Sequence, residues 1–202
     1  MQTQMTSGHA GDEERAGGWS RIRPVAFWSA TIVVVFELAA GSVWNLLTIE
    51  WIEAQLRHLG FPHFFAYVLG VWQALAAVAI IAPRLPLLKE WAYAGCLFLW
   101  SGAVASHLNY GDPIETWGVP LTFGILAVTS WLLRPADRRI PETRLRPNGS
   151  PRTRSRAWES RPRAWAVPMA LLVAMFAVSV LTLPVVEASM LEFAVELGWV
   201  EA

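Results

Sequence analysis

Two apolar blocks, residues 64–82 and 91–107, constrain this chain more than anything else in it. They are 19 and 17 residues long, with the short corner PRLPLLKE between them. At 1.5 Å of rise per residue each reaches about 26–28 Å as a helix, close to the ~30 Å hydrocarbon core of a bilayer. A water-facing helix of that length carries a polar stripe along one side, and neither block has one. They read as a transmembrane hairpin. Composition agrees, because only 16% of the 202 residues are charged, against about 25% in a soluble domain. The sole cysteine, Cys96, lies inside the second block and has no partner for an internal disulfide. It reads as a small apolar packing residue.

The rest of the chain divides around this hairpin. Residues 1–24 are polar, lack apolar periodicity and are expected to be a disordered tail. The apolar run behind them is too long for the core of a cleaved signal peptide. It forms a first span, 25–47, interrupted by one ionisable residue, Glu37. Glu37 stands 12 residues in, about 18 Å deep and near the bilayer midplane. Gly41, Trp44 and Asn45 follow it at four, seven and eight residues and share its face. Between residues 48 and 63, Ile49, Ile52, Leu56 and Leu59 alternate with Glu50, Glu53 and Arg57. That pattern reads as a short amphipathic helix on the membrane surface, or as a lid over a site at that face.

The second span, 64–82, has Gln73 as its strongly polar residue, flanked by Ala66, Gly70, Ala77 and Ile80. Pro83 and Pro86 stop the helix, and Arg84 and Lys89 are expected at the interface. In the third span, 91–107, Gly95, Gly102 and Ser106 read as a packing seam. His107 ends it, ahead of Asn109 and the turn Gly111-Asp112-Pro113. A fourth span covers 117–133. Residues 134–163 hold ten Arg and five Pro and read as a disordered linker. A fifth span, 164–186, precedes a tail in which Glu192, Glu196 and Glu201 oppose Leu191, Val195 and Trp199, the pattern of a second interfacial helix. The expected divisions are a tail (1–24), a four-helix membrane domain (25–133), the Arg/Pro linker (134–163), and a fifth transmembrane helix with an external amphipathic tail (164–202).

Basic residues set an orientation. With five crossings, alternate sides of the membrane carry fifteen and one Lys or Arg. The rich side is cytoplasmic by the positive-inside rule, so the N-terminus and the Arg linker are expected inside and the C-terminus outside. Trp28, Trp51, Trp91, Trp117, Trp131 and Trp165 fall near the predicted interfaces. The Arg linker reads as a topology determinant or as a surface for anionic lipid headgroups. Arginine without a surrounding fold gives no reason to expect nucleic acid as a partner.

Five residues could carry chemistry: Glu37, Gln73, Asn45, Trp44 and His107. A mid-membrane carboxyl faces a bundle interior and is neutral or paired. Gln73 falls at a similar depth, so a Glu37–Gln73 hydrogen bond is expected between the first two spans, either as interhelical glue or as a contact for a proton, quinone or solute. Asn45 and His107 lie near the outer interface and, with Trp44 and Glu37, outline a pocket opening outward. His107 is either a solvated helix end or a proton acceptor. The spacing of His9, His58, His63 and His107 does not resemble a zinc set, and haem ligation by His107 has no evident second axial ligand. There is no CxxC, P-loop, GxGxxG or GxSxG motif.

The segments LGFPHFFAYVLGVWQ, APRLPLLKEWAYAG and GAVASHLNYGD, preceded by FELAAGSVWNLL, resemble the DoxX-like family of small bacterial membrane proteins over about residues 25–133. The resemblance implies a four-helix membrane bundle related to the small membrane subunit of a thiosulfate:quinone oxidoreductase. The expected protein is therefore all-α and polytopic, with a DoxX-like bundle plus a fifth transmembrane helix in a bacterial cytoplasmic membrane. The leading functional expectation is an accessory or anchor subunit of a quinone-linked redox system, with quinone as the cofactor class and a membrane redox protein as partner. As an isolated chain it leans away from being an enzyme. A small-solute carrier and a structural assembly factor are the alternatives.

Overall fold

The computed structural model describes residues 7–135 and 162–200, with side chains from 22 in the first segment and from 165 in the second. The described residues form six helices: α1 (Ser7–Leu46), α2 (Glu50–His58), α3 (Phe64–Ile81), α4 (Pro86–Tyr110), α5 (Ile114–Leu133) and α6 (Pro162–Glu196). No strand occurs among them. Helices α1, α3, α4 and α5 close a ring in which each touches the next, while α6 lies against α1 and α3, and α2 bridges α3 and α6 at one end. That end also receives the last turn of α4 and the first of α5. The opposite end holds the α3–α4 corner and the end of α5.

Four helical stretches are long and apolar enough to cross a membrane: Ile22–Leu46, Phe64–Ile81, Ile114–Leu133 and Trp165–Glu196. Helix α4 falls short because Lys89 and Glu90 open it and Ser101, Ser106, His107 and Asn109 follow. It is nevertheless 25 residues long, about 37 Å, and stands between α3 and α5 along the length of the bundle. Large apolar side chains cover the exterior, among them Trp72, Trp91, Phe98, Leu181 and Val185. In water this surface would be an aggregation liability; in a bilayer it is the lipid contact. The chain is a multi-pass membrane protein.

Polar groups inside the bundle are tied to backbone or to each other. The last carbonyls of α3 have no partner within their helix. Lys89, fully buried in the first turn of α4, supplies one: its Nζ donates to the carbonyls of Ala79 (2.9 Å), Ile80 (2.5 Å) and Ala82. A cation is favoured there because carbonyl dipoles converge at a helix C-terminus. Lys89, expected at the interface beside this corner, is thus a buried cap on α3. Nearby, Arg134 pairs with Glu90 at 2.7 Å and lies over the Tyr93 ring. Trp131 Nε1 donates to the same carboxylate, and Tyr93 and Thr31 hydroxyls each meet Ser130 at 2.7 Å. These contacts fasten α1, α4 and α5 together at the corner end.

Helices α1 and α3 approach closely at two glycines. A Cβ on Gly70 would stand 2.7 Å from Leu46 Cγ and 3.1 Å from the Leu46 backbone nitrogen. A Cβ on Gly41 would stand 2.8 Å from Gln73 Nε2. Small residues admit this approach, and α3 presents the face read from sequence, with Ala66, Gly70, Gln73, Ala77 and Ile80 all buried. The seam expected on α4 is absent: Gly95 and Gly102 have nothing within 4 Å of a would-be Cβ. The buried face of α4 instead carries Lys89, Ala92, Tyr93, Cys96, Trp100 and His107, whose larger side chains reach the core.

Two further expectations change. Residues 7–24 have helical backbone, where a disordered tail is expected, because the long apolar helix supplies a nucleus onto which turns add cheaply. The tail of α6 is no separate helix. The chain runs unbroken to Glu196 through Pro168 and Pro184, since residues 189–196 have an apolar face to bury against α2. Gly198, at φ +72°, then turns the chain so that Trp199 packs on Trp51 of α2. Most of the linker, 136–161, lies outside the described residues.

Lys89→Met should lower the stability of the purified protein by about 1–3 kcal/mol, because it orphans three buried carbonyls. Gly95→Ala, in open space on a helix, should leave stability unchanged or raise it by up to about 1 kcal/mol. Thermal unfolding in one detergent compares the two.

Candidate functional site

All five sequence-selected residues line one cavity of about 380 Å³ at the α2 end of the ring. Glu37, Trp44 and Asn45 come from α1, Gln73 from α3 and His107 from α4. The walls add Glu115, Thr116 and Phe123 of α5, and Trp51, Ile52, Gln55 and Leu56 of α2 form a roof. Helix α2 can roof it because Trp51, Ile52, Ala54 and Leu56 are buried while Glu50 and Arg57 remain exposed. Its N-terminus has no side-chain cap of its own; Glu187 of α6 accepts from the Glu50 backbone N–H at 3.1 Å. This placement, apolar side on the bundle and charged side outward, suits both readings of residues 48–63.

The register of the cavity follows from Gly41. Gln73 rests on the bare backbone there, one turn from Glu37 and one turn from Asn45. Its Oε1 accepts from Asn45 Nδ2 at 3.2 Å, and the same Nδ2 donates to the Gly41 carbonyl at 2.7 Å. The expected Glu37–Gln73 hydrogen bond is not among the contacts of the described residues. Gln73 reaches toward Asn45 because that amide offers a donor to its carbonyl oxygen. Two acceptors around Nδ2 also fix how the Asn45 amide is turned. Its Oδ1 is left buried with no partner, and so is Trp44 Nε1. An unmatched buried polar atom is destabilising by about 1–3 kcal/mol, and both of these residues are among those lining the cavity.

The roof end holds a cluster that sequence reading missed. The α4 helix ends at Gly111, φ +75°, whose N–H donates to Leu108 O while Asp112 N–H donates to His107 O at 3.1 Å. This left-handed turn folds Asp112 back over the helix end. There its carboxylate bridges two imidazoles: Oδ2 meets His107 Nδ1 at 2.7 Å and Oδ1 meets His58 Nε2 at 2.8 Å. On its other edge, His107 Nε2 lies 3.3 Å from Gln55 Nε2. Trp199 stacks on both rings, at 4.6 Å from His58 and 5.9 Å from His107. The signal for Asp112 was present in the Gly-Asp-Pro sequence, but it read as turn chemistry only. His58 and Trp199 carried no local signal, since both are placed by tertiary contacts. Among the described residues no group of three His, Cys, Asp or Glu side chains is arranged to hold a metal ion.

The model of the DoxX-like family matches residues 29–130, half of the chain, and the chain belongs to that family. The match covers α1 from residue 29 onward, α2, α3, α4 and nearly all of α5, and so spans most of the cavity's walls. No curated protein and no solved structure matches the chain.

Gly41→Val should lower stability by about 1–3 kcal/mol by driving Gln73 off α1. In a Gln73→Ala background most of that loss should vanish, a coupling that a double-mutant unfolding cycle measures.

Proposed function

We propose that this DoxX-like protein is an accessory or anchor subunit of a quinone-linked membrane redox system and holds a quinone headgroup in the α2-end cavity. The observation that carries this reading is that Trp44 and Asn45 both line the cavity and each keeps a buried polar atom without a protein partner, Nε1 of Trp44 and Oδ1 of Asn45. A quinone carbonyl takes the indole N–H, and a quinol hydroxyl donates to the amide oxygen. Both redox states therefore find one complementary group. Aromatic walls suit a flat ring, with Trp100 and Phe123 stacked at 5.7 Å. At about 380 Å³ the volume falls at the small end of ligand pockets, enough for a headgroup with its tail left outside. A bound quinone supplies two-electron redox chemistry. Electrons pass to or from a partner protein, because this chain contributes a binding site and a docking surface.

The fifteen-to-one distribution of basic residues supports placement in a bacterial cytoplasmic membrane with the N-terminus inside and the C-terminus outside. The cavity then lies toward the external face. The ten Arg of residues 134–163 fall on the cytoplasmic side, where they suit anionic lipid headgroups at about 1 kcal/mol per residue near the surface.

Protein purified from native membranes should carry quinone detectable by mass spectrometry, together with a redox partner. Trp44→Phe or Asn45→Leu should each cut quinone occupancy about tenfold, the equivalent of one good hydrogen bond. Quinone-free protein whose Glu37→Gln variant loses uptake of a small solute would move the assignment to a carrier. Orientation has its own check: a protease added to intact spheroplasts should remove a C-terminal tag and spare an N-terminal one.

A further inference from the structure

We propose that His107, Asp112 and His58 form a proton relay joining the cavity to the aqueous end of the bundle. The three groups run from inside to outside in order of exposure. Side-chain accessibility rises from 1% at His107 through 7% at Asp112 to 24% at His58. His107 lines the cavity, and the two links of the string are 2.7 and 2.8 Å. Its tautomer follows from its neighbours. Asp112 is an acceptor, so Nδ1 carries the hydrogen, and Nε2 holds a lone pair that accepts from the Gln55 amide N–H. A carboxylate behind Nδ1 and an accepting lone pair at Nε2, held only by a 3.3 Å contact from Gln55 that an incoming proton donor displaces, is the arrangement that makes histidine a base with a fixed direction.

One proton enters and one leaves, with no electrons moved. A proton arriving from the cavity at His107 Nε2 makes an imidazolium balanced by Asp112. The Nδ1 proton then passes to the carboxyl, which hands one on to His58 Nε2 once His58 has exchanged with water into its Nδ1–H tautomer. His58 releases its Nδ1 proton at the rim, which restores the starting charge and leaves His107 as its Nε2–H tautomer; a turn of the imidazole about its Cβ–Cγ bond puts the hydrogen back toward Asp112 before the next proton is taken. Trp199 covers both rings, which keeps water from short-circuiting the path.

The other titratable groups nearby are placed as ends or bystanders. Glu37 of α1 and Glu115 of α5 line the same cavity as His107. Glu53 of α2 is held by His63 at 3.1 Å and Arg57 at 3.8 Å, Glu187 of α6 holds the Glu50 N–H, and the Tyr110 ring of α4 lies 5.2 Å from that of His58. Glu37, two turns down α1 from Asn45 and about 12 Å away along the helix, is the group that a proton in the cavity reaches through water. The relay rests on the cavity being a working site, but its test needs no quinone.

The full-length protein in lipid nanodiscs is subjected to a rapid pH jump, and the carboxyl stretch of Glu37, assigned with Glu37→Gln, is followed by time-resolved infrared spectroscopy. Asp112→Asn keeps the hydrogen-bonding shape and removes the charge. It should slow the Glu37 response about 100-fold, the low end of what a positioned acid–base group contributes. His58→Gln, at the rim, should slow it too, while Asp112→Glu should restore it at least in part. An unchanged rate in both Asp112→Asn and His58→Gln, each with wild-type thermal unfolding, overturns the relay. Should Asp112→Asn fail to fold, His58→Gln decides alone. Loss of quinone binding with the relay intact would instead indict the functional reading and leave this one standing.

Discussion

The close approach of α1 and α3 is the contact on which the site depends. In a bilayer no hydrophobic force presses helices together, because lipid tails are as apolar as the side chains they touch. What remains is dispersion over a tight interface and the few polar contacts that interface encloses. Gly70 lets the α1 backbone in at Leu46, and Gly41 lets the Gln73 side chain lie flat on α1. That second contact sets the depth of Gln73, and the Asn45–Gln73 bond then orients the amide whose oxygen faces no partner. A small lateral shift of either helix would close the cavity or scatter its polar atoms.

The two ends of the bundle use their polar residues differently. At the corner end the Glu90, Tyr93, Ser130 and Thr31 side chains are tied to one another and to Trp131 and Arg134, and the cluster acts as a fastening. At the α2 end the side chains are engaged only in part, around a space. Glu37 sits on α1 between these zones and lines that space. The contrast separates polar residues that hold the fold from polar residues that leave capacity for a ligand. Both kinds look alike as isolated letters in an apolar run.

How much could be read in advance follows the same division. The helical membrane architecture was legible because apolar run length is a direct consequence of bilayer thickness, and the buried face of α3 was legible because its small residues repeat at helical spacing. Of the five cavity residues, Glu37 and Gln73 were picked out for polarity in apolar surroundings, Trp44 and Asn45 for sharing the Glu37 face, and His107 for its place at a helix end. The seam on α4 failed because glycine spacing does not say which way a face points; Trp100 and His107 claimed the core instead. The Glu37–Gln73 bond failed because depth alone does not say which neighbour the Gln73 amide meets; its oxygen accepts from Asn45 instead. His58, Asp112 and Trp199 come from three separate segments, α2, the α4–α5 turn and the chain after α6. Only the folded arrangement brings them together.

Lys89 has a consequence for biogenesis. Helix α4 is too polar at its start to partition into lipid on its own merits, while α3 is strongly apolar but ends in bare carbonyls. The ammonium of one answers the dangling ends of the other across a corner of four residues, 82–85. The two helices are therefore suited to leave the translocon as a single preassembled unit, with the marginal member chaperoned into the membrane by its neighbour in the chain.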